Sequence, residues 1–295
     1  MRVLLTGGSG FLGHHVLDSL RRQGIETVML GRRRAIDSDF AEFIEADLLS
    51  PQDPAGWIRQ ARASHLLHLA WFAEHGEYWT SPLNRRWVDA TTRLVEAFCE
   101  GGGQQVVVAG TCAEYEWSEG YCREEGTALN PATVYGKAKD AARRLAMEVC
   151  VRHQLPCAWG RVFIPFGAGE NVQRLIPSLI AAFRGTRAAF GVNARAYRDF
   201  LHASDVAAGF LALLHSGPSG AYNISSGQPV QLCDLICELA RLLEADPQSV
   251  LELAAERPGE PPLLVGENLK LKALGWMPAL SLEQGLQQTL SDLRP

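Results

Sequence analysis

The first twenty residues, MRVLLTGGSGFLGHHVLDSL, decide the fold. Residues 3–6 form an apolar run of strand length, Gly7, Gly10 and Gly13 follow at GxxGxxG spacing, and FLGHHVLDSL continues as a helix. The first glycine permits a tight turn, the second lets backbone approach a pyrophosphate, and the third lets helix and strand pack closely. A glycine-rich turn without a ligand would share the pattern. Its place between a first strand and a first helix points to a dinucleotide.

Outward from that unit, apolar runs at 27–30, 43–46, 66–70, 106–109 and 158–163 read as further strands. Between them, Leu83, Trp87, Thr91, Leu94 and Phe98 step by four and three, as do Val134, Ala138, Ala142, Leu145 and Val149, which marks two amphipathic helices. The three glycines at 101–103 end the first of these. Alternating strands and helices predict an α/β fold: a Rossmann-like, doubly wound parallel sheet over 1–165. Beyond it, prolines and glycines cluster in IPFGAGE, ERPGEPP and GWMPAL, so 166–295 is expected to be a smaller α/β domain over the carboxyl edge of the sheet, with part of 198–226 returning to the first domain.

The 295 residues are 47% hydrophobic and 21% charged, which excludes disordered, collagenous and coiled-coil classes. A net charge of -5 argues against a nucleic-acid or anionic-membrane surface and leaves small molecules, or copies of the chain itself, as partners. No signal-peptide core and no run of about 18 apolar residues is present, so a cytoplasmic protein is expected. Seven cysteines without a CxxC suggest neither a disulfide framework nor a metal site.

The second strand runs into VMLGRRR, so Gly31 and Arg32 stand where an acidic residue would hold an NAD ribose. A guanidinium binds a 2′-phosphate that a carboxylate would repel, and Arg32, with Arg33 next, points to NADP(H) over NAD(H) unless these arginines only form a solvated loop. Asp47, ending the third strand, is placed to accept from an adenine amine, although an exposed strand-end aspartate needs no such role. Tyr135 and Lys139 lie four apart on a helix face, where an ammonium lowers a phenol's pKa and the pair can exchange a proton with a hydroxyl or ketone while hydride moves. Thr111, ending the fifth strand in VVVAGTCAEY, supplies a third group.

Together, TGGSGFLG, the strand-end threonine and YGKAK resemble the extended short-chain dehydrogenase/reductase family, whose members mostly modify nucleotide sugars. RVFIPFGAGE, RDFLHASDVA, YNISSGQPV, RPGE and LKALGWMPALSLEQGL extend the resemblance over nearly the whole chain. It implies Tyr135 as the acid/base, Lys139 as ribose ligand and modulator of Tyr135, and Thr111 on the reacting oxygen. It also implies cofactor contacts from Phe11, Leu12, Leu48 and Ala70 beside the glycines. Arg198 and Arg257, and less directly Arg174, match positions that hold a substrate diphosphate, although each also reads as a surface arginine. Ile164 and Trp87 depart from the family, standing where relatives carry asparagines.

Dehydratases of this group place an aspartate–glutamate pair after the threonine, whereas Cys112 and Ala113 stand here; Glu114, one residue on, reads as a loop carboxylate in water. NADP(H) use tilts the remaining choice toward NADPH-dependent reduction of a nucleotide-linked 4-keto-6-deoxy sugar. A nucleotide-sugar 4-epimerase and a non-catalytic NADP(H) sensor are the alternatives. Related proteins pair the helices near 81–99 and 133–152, so a homodimer is expected.

Overall fold

A computed structural model describes residues 1–35, 38–256 and 259–293. The chain begins with β1 (Arg2–Thr6), α1 (Phe11–Arg22), β2 (Glu26–Gly31), β3 (Glu42–Glu45), α2 (Ala55–Ala61), β4 (His65–His68), α3 (Leu83–Glu100) and β5 (Gln105–Thr111). It continues through β6 (Tyr121–Cys122), α4 (Val134–Arg152), β7 (Cys157–Val162), β8 (Ile164–Phe166), α5 (Leu175–Phe183), β9 (Tyr197–Arg198), β10 (Phe200–His202) and α6 (Ala203–Ser216). Then follow β11 (Gly220–Ile224), β12 (Val230–Gln231), α7 (Leu232–Leu242), α8 (Gln248–Leu251), β13 (Leu263–Gly266), α9 (Leu269–Lys272) and α10 (Leu282–Asp292).

Seven parallel strands form the main sheet in the order β11-β7-β5-β4-β1-β2-β3. Its strands are apolar on both faces because helices cover both, and Val3, Leu4 and Leu5 of β1 are all fully buried. On one face Val16 and Leu20 of α1 pack with Phe210 and Leu214 of α6. On the other, Trp57 of α2, Leu94 and Phe98 of α3 and Ala142 and Val149 of α4 do so. The strand order reverses between β1 and β4, so the loops after those strands diverge and leave a crevice at the carboxyl ends, the position that doubly wound sheets use for ligands.

A second lobe stands over that edge. β8 pairs with β10, and β12, β9, β13 and β6 form a small four-stranded sheet. Its core gathers Phe166, Leu179, Phe200, Leu235 and Leu286. The two lobes are tied by Asp199, which is fully buried and accepts from the Ser226 hydroxyl and the backbone amides of Ser226, Gly227 and Gly266. Burial pushes its carboxyl up to about 6 against those four donors. Segment 203–224 returns to the main sheet, with α6 covering one face and β11 forming its edge.

No helix among the described residues is long and apolar enough to cross a membrane. The described residues contain no group of three or more His, Cys, Asp or Glu arranged to hold a metal ion. All seven cysteines are free, five of them buried.

Candidate active site

The β1–α1 turn meets the steric demands read from its glycines. Gly7 has φ of +75°, and a Cβ there would lie 2.7 Å from the Ala70 nitrogen. A Cβ on Gly13 would lie 2.1 Å from the Gly7 oxygen, so only glycine lets α1 start this close to β1. Gly10 caps α1 without a side-chain hydrogen bond, and the first turn holds no acid, which leaves an open amide terminus for an anion. Beneath the turn, the Thr6 hydroxyl accepts from Ala70 N at 3.2 Å and lies 2.6 Å from His68 Nδ1, while His68 Nε2 lies 2.9 Å from the Thr91 hydroxyl. Burial holds His68 down to about 3, so it is neutral and the three side chains form an uncharged strut across β1, β4 and α3.

Arg32 and Arg33, just past β2, are exposed, and among the described residues neither makes a hydrogen bond or an ion pair. Arg34 differs: it donates to the Ser38 and Ala41 carbonyls and lies over the Phe43 ring. Asp47 is exposed two residues beyond β3 and accepts from Leu49 N, while Leu48 is buried. Phe11 opens α1 with its ring 5.7 Å from that of His15, and the half-buried Leu12 packs against the core behind it. These residues border the crevice at the carboxyl ends of β1–β4.

Thr111 ends β5 and Tyr135 and Lys139 lie on the first turns of α4, whose N-cap Thr133 accepts from Gly136 N. Burial, the largest influence, pushes the pKa of the Tyr135 phenol up, with the Thr111 side chain opposing. The expected lowering by Lys139 gives way to burial here because the ammonium points elsewhere. It donates to the Ala109 carbonyl at 2.9 Å and sits 4.0 Å from the centroid of Trp71. Burial brings Lys139 down to about 7, opposed by Glu114. Trp71 in turn stacks on Trp87. Tyr78 and Trp79 meet the ring of Tyr135 edge-on at 4.9 and 5.8 Å, so aromatic walls enclose the phenol.

Glu114 is not a carboxylate in water. It is fully buried, and its Oε1 accepts from Thr111 N and Trp159 Nε1 and its Oε2 from Arg161 Nε, each at 2.8 Å. The expectation fails because the chain turns inward after β5 in a short 3-10 helix, Cys112–Glu114, whose capping box joins Thr111 and Glu114. Arg161 goes on to donate to the Tyr115 hydroxyl, which donates to Asn223 Oδ1. A signal was present: an arginine inside an apolar strand needs a buried anion.

Of the arginines expected at a substrate diphosphate, Arg257 lies outside the described residues. Arg174 and Arg198 line one cavity, and each is already paired, Arg174 with Glu170 and Arg198 with Glu260, both at 2.8 Å. A larger cleft lies between Ala113–Ser118, residues 130–133 and residues 259–262, with Trp117 and Lys137 in its walls.

The strand order, the glycine turn and the open helix terminus define a Rossmann-like protein of dinucleotide-binding type. The model of the NAD dependent epimerase/dehydratase family matches residues 3–225, and the chain belongs to that family. It is 30% identical to a UDP-glucose 4-epimerase of Azospirillum brasilense, over 98% of this chain and 94% of that one. It is 23% identical to a mouse dTDP-D-glucose 4,6-dehydratase, over 98% and 87%. Among solved structures it superposes on MoeE5 in complex with UDP-glucuronic acid and NAD with a TM-score of 0.81 at 27% identity, covering 99% and 98% of the two chains. It also superposes on the Brucella ovis UDP-glucose 4-epimerase in complex with NAD, with a TM-score of 0.86 at 25% identity, covering 98% and 96%.

Proposed function

We propose that the protein is an NADPH-dependent reductase of a nucleotide-linked 4-keto-6-deoxy sugar, with Thr111, Tyr135 and Lys139 as its catalytic residues. The observation that supports this reading is the pairing of two exposed arginines just past β2 with a Glu114 carboxylate that is already engaged. Among the described residues Arg32 and Arg33 make no hydrogen bond or ion pair that would keep them from a 2′-phosphate, and Glu114 is committed to Thr111 N, Trp159 and Arg161. Elimination needs an acid and a base beside the threonine, and Cys112 and Ala113 supply neither.

The residues of the β1–α1 turn fit a dinucleotide, since the glycine cradle and the uncapped α1 terminus receive a pyrophosphate without displacing a side chain. The bound cofactor supplies hydride. Gly7, Gly10, Phe11, Leu12, Gly13, Leu48 and Ala70 would line it, with Asp47 at the adenine and Lys139 at the ribose. The raised pKa of Tyr135 keeps the phenol protonated at neutral pH, the form required of a proton donor to a forming alkoxide, and Thr111 orients that oxygen. The substrate's diphosphate falls to Arg174 and Arg198, which line one cavity.

The identity to the Azospirillum UDP-glucose 4-epimerase favours a second reading, an NAD(P)-dependent nucleotide-sugar 4-epimerase. The catalytic triad serves both reactions, whereas cofactor consumption separates them. The reductase oxidises one NADPH per sugar; the epimerase returns the hydride. Following NADPH absorbance with a panel of nucleotide 4-keto sugars decides: stoichiometric oxidation supports reduction, and interconversion of two 4-hydroxy sugars without it replaces that reading. Five buried thiols suit the reducing cytoplasm. The exposed Val134, Leu145 and Val151 on α4 suit a two-fold homodimer through α3 and α4.

A further inference from the structure

The cavity of about 150 Å³ between β8, α5 and the segment before β13 contains two arginines and two glutamates against an apolar wall that includes Ile164 and Phe200. Each guanidinium is engaged by one carboxylate oxygen: Arg174 Nε donates to Glu170 Oε1, and Arg198 Nη2 pairs with Glu260 Oε1, both at 2.8 Å. The second oxygens, Glu170 Oε2 and Glu260 Oε2, are buried and have no hydrogen-bond partner among the described residues. A buried carboxylate oxygen without a partner is costly, and the arginine fork fits phosphate as well as it fits carboxylate. The pairs are therefore stable enough to hold the guanidinia apart and poor enough to yield them.

We propose that Glu170 and Glu260 are resident counter-anions of a diphosphate site: the diphosphate of a nucleotide sugar takes Arg174 and Arg198 from them, and Glu170 takes up one proton from solvent as it loses its partner. This rests on the nucleotide-sugar reading above and adds a proton to its binding step. Glu170 is the titrating member because its side chain is only 4% exposed and burial already pushes it up to about 7, with Arg174 and the Gly167 amide opposing. Removing Arg174 and bringing a phosphate close raises it further. The groups packed around it do not titrate in the same window. Tyr78 is raised to about 12 by burial, His202 on β10 is lowered to about 4, His15 on α1 is lowered by burial, and Arg174, against the pull of burial, is raised by Glu170.

The sign follows from linkage. Below about 7 Glu170 is protonated before binding, and affinity is flat; above it, each bound diphosphate draws in a proton, and affinity falls by up to tenfold per pH unit. The test is titration calorimetry of the intact protein with UDP-, dTDP-, GDP- and CDP-glucose between pH 6 and 8, in two buffers of different protonation enthalpy. The phosphates of these probes are diesters and stay ionised throughout. The expected result is that the nucleotide that binds does so with uptake approaching one proton at pH 8, and that Glu170→Gln binds it several-fold more tightly at pH 8 with no uptake. Binding without uptake by the wild-type protein, a measurement independent of any variant, overturns the proposal, as does an unchanged pH slope in Glu170→Gln. Binding of none of the four removes the nucleotide-sugar reading itself, and this inference with it.

Discussion

Arg161 Nε donates to Glu114 Oε2 at 2.8 Å directly behind Thr111, with the two side chains 1% and 0% exposed. The same carboxylate holds Thr111 N through its other oxygen, so the ion pair fixes the backbone that carries the Thr111 hydroxyl. Arg161→Leu leaves a buried carboxylate without its cation and is expected to cost about 3–5 kcal/mol of stability. Glu114→Gln keeps two acceptor contacts but leaves the buried guanidinium without its anion, and is expected to cost a similar amount, whereas the double variant is expected to cost less than the two losses summed. Chemical denaturation of the three variants checks this; additive losses would mean that the ion pair is not what matters.

Tyr135→Phe removes the phenolic proton and keeps the ring against Tyr78 and Trp79. Turnover on a confirmed substrate is expected to fall by about two to four orders of magnitude with NADPH affinity nearly unchanged. Lys139→Ala is expected to weaken both. Because burial places Lys139 near 7, its ammonium is present below that pH and lost above it. NADPH affinity of the wild-type protein should therefore decline as pH rises through that value, and the decline should vanish in Lys139→Ala. Full activity in Tyr135→Phe would reassign the acid.

Arg32→Asp removes a guanidinium from the end of β2 and adds a charge that repels a 2′-phosphate. The wild-type protein is expected to bind NADPH more tightly than NADH, and the variant to narrow or reverse that preference. Fluorescence titration with both cofactors measures it; equal affinities in the wild-type protein would make Arg32 and Arg33 a solvated loop.

Val134, Leu145 and Val151 are 39%, 40% and 75% exposed on α4, whereas Phe98 and Val149 turn to the sheet. Burying the exposed set against a second copy is expected to give a dimer, seen by light scattering as twice 32.3 kDa at micromolar concentration. A 32.3 kDa particle would count against it.

Local pattern carried the sheet far. Residues 3–6, 106–109 and 158–163 fall in β1, β5 and β7 to within a few residues at either end, because a strand buried on both faces leaves an unbroken apolar run. The glycine turn was legible for a similar reason, since the contact of Gly13 with Gly7 acts within seven residues. Glu114 was not, because its partners Trp159 and Arg161 are 45 and 47 residues away and meet it only once β5 and β7 lie side by side. Asp199 escaped in the same way: it sits beside Arg198 in RDF, yet its four donors come from segments 27 to 67 residues later. The pairing of Arg174 with Glu170 did lie within one helical turn of sequence, but whether a guanidinium faces solvent, a neighbour or a ligand is set by the lobe above it.

The return of 203–224 to the main sheet makes the two lobes inseparable as pieces of polypeptide. A fragment ending at 165 would keep the glycine turn, Tyr135 and Lys139, but it would lose Phe210 and Leu214 from one face and expose the backbone of β7 where β11 now pairs. An uncovered apolar face beside a bare strand edge is a template for aggregation. Dissecting this molecule into a cofactor half and a substrate half by truncation would therefore yield insoluble material, and a soluble minimal version would need the chain through Ile224.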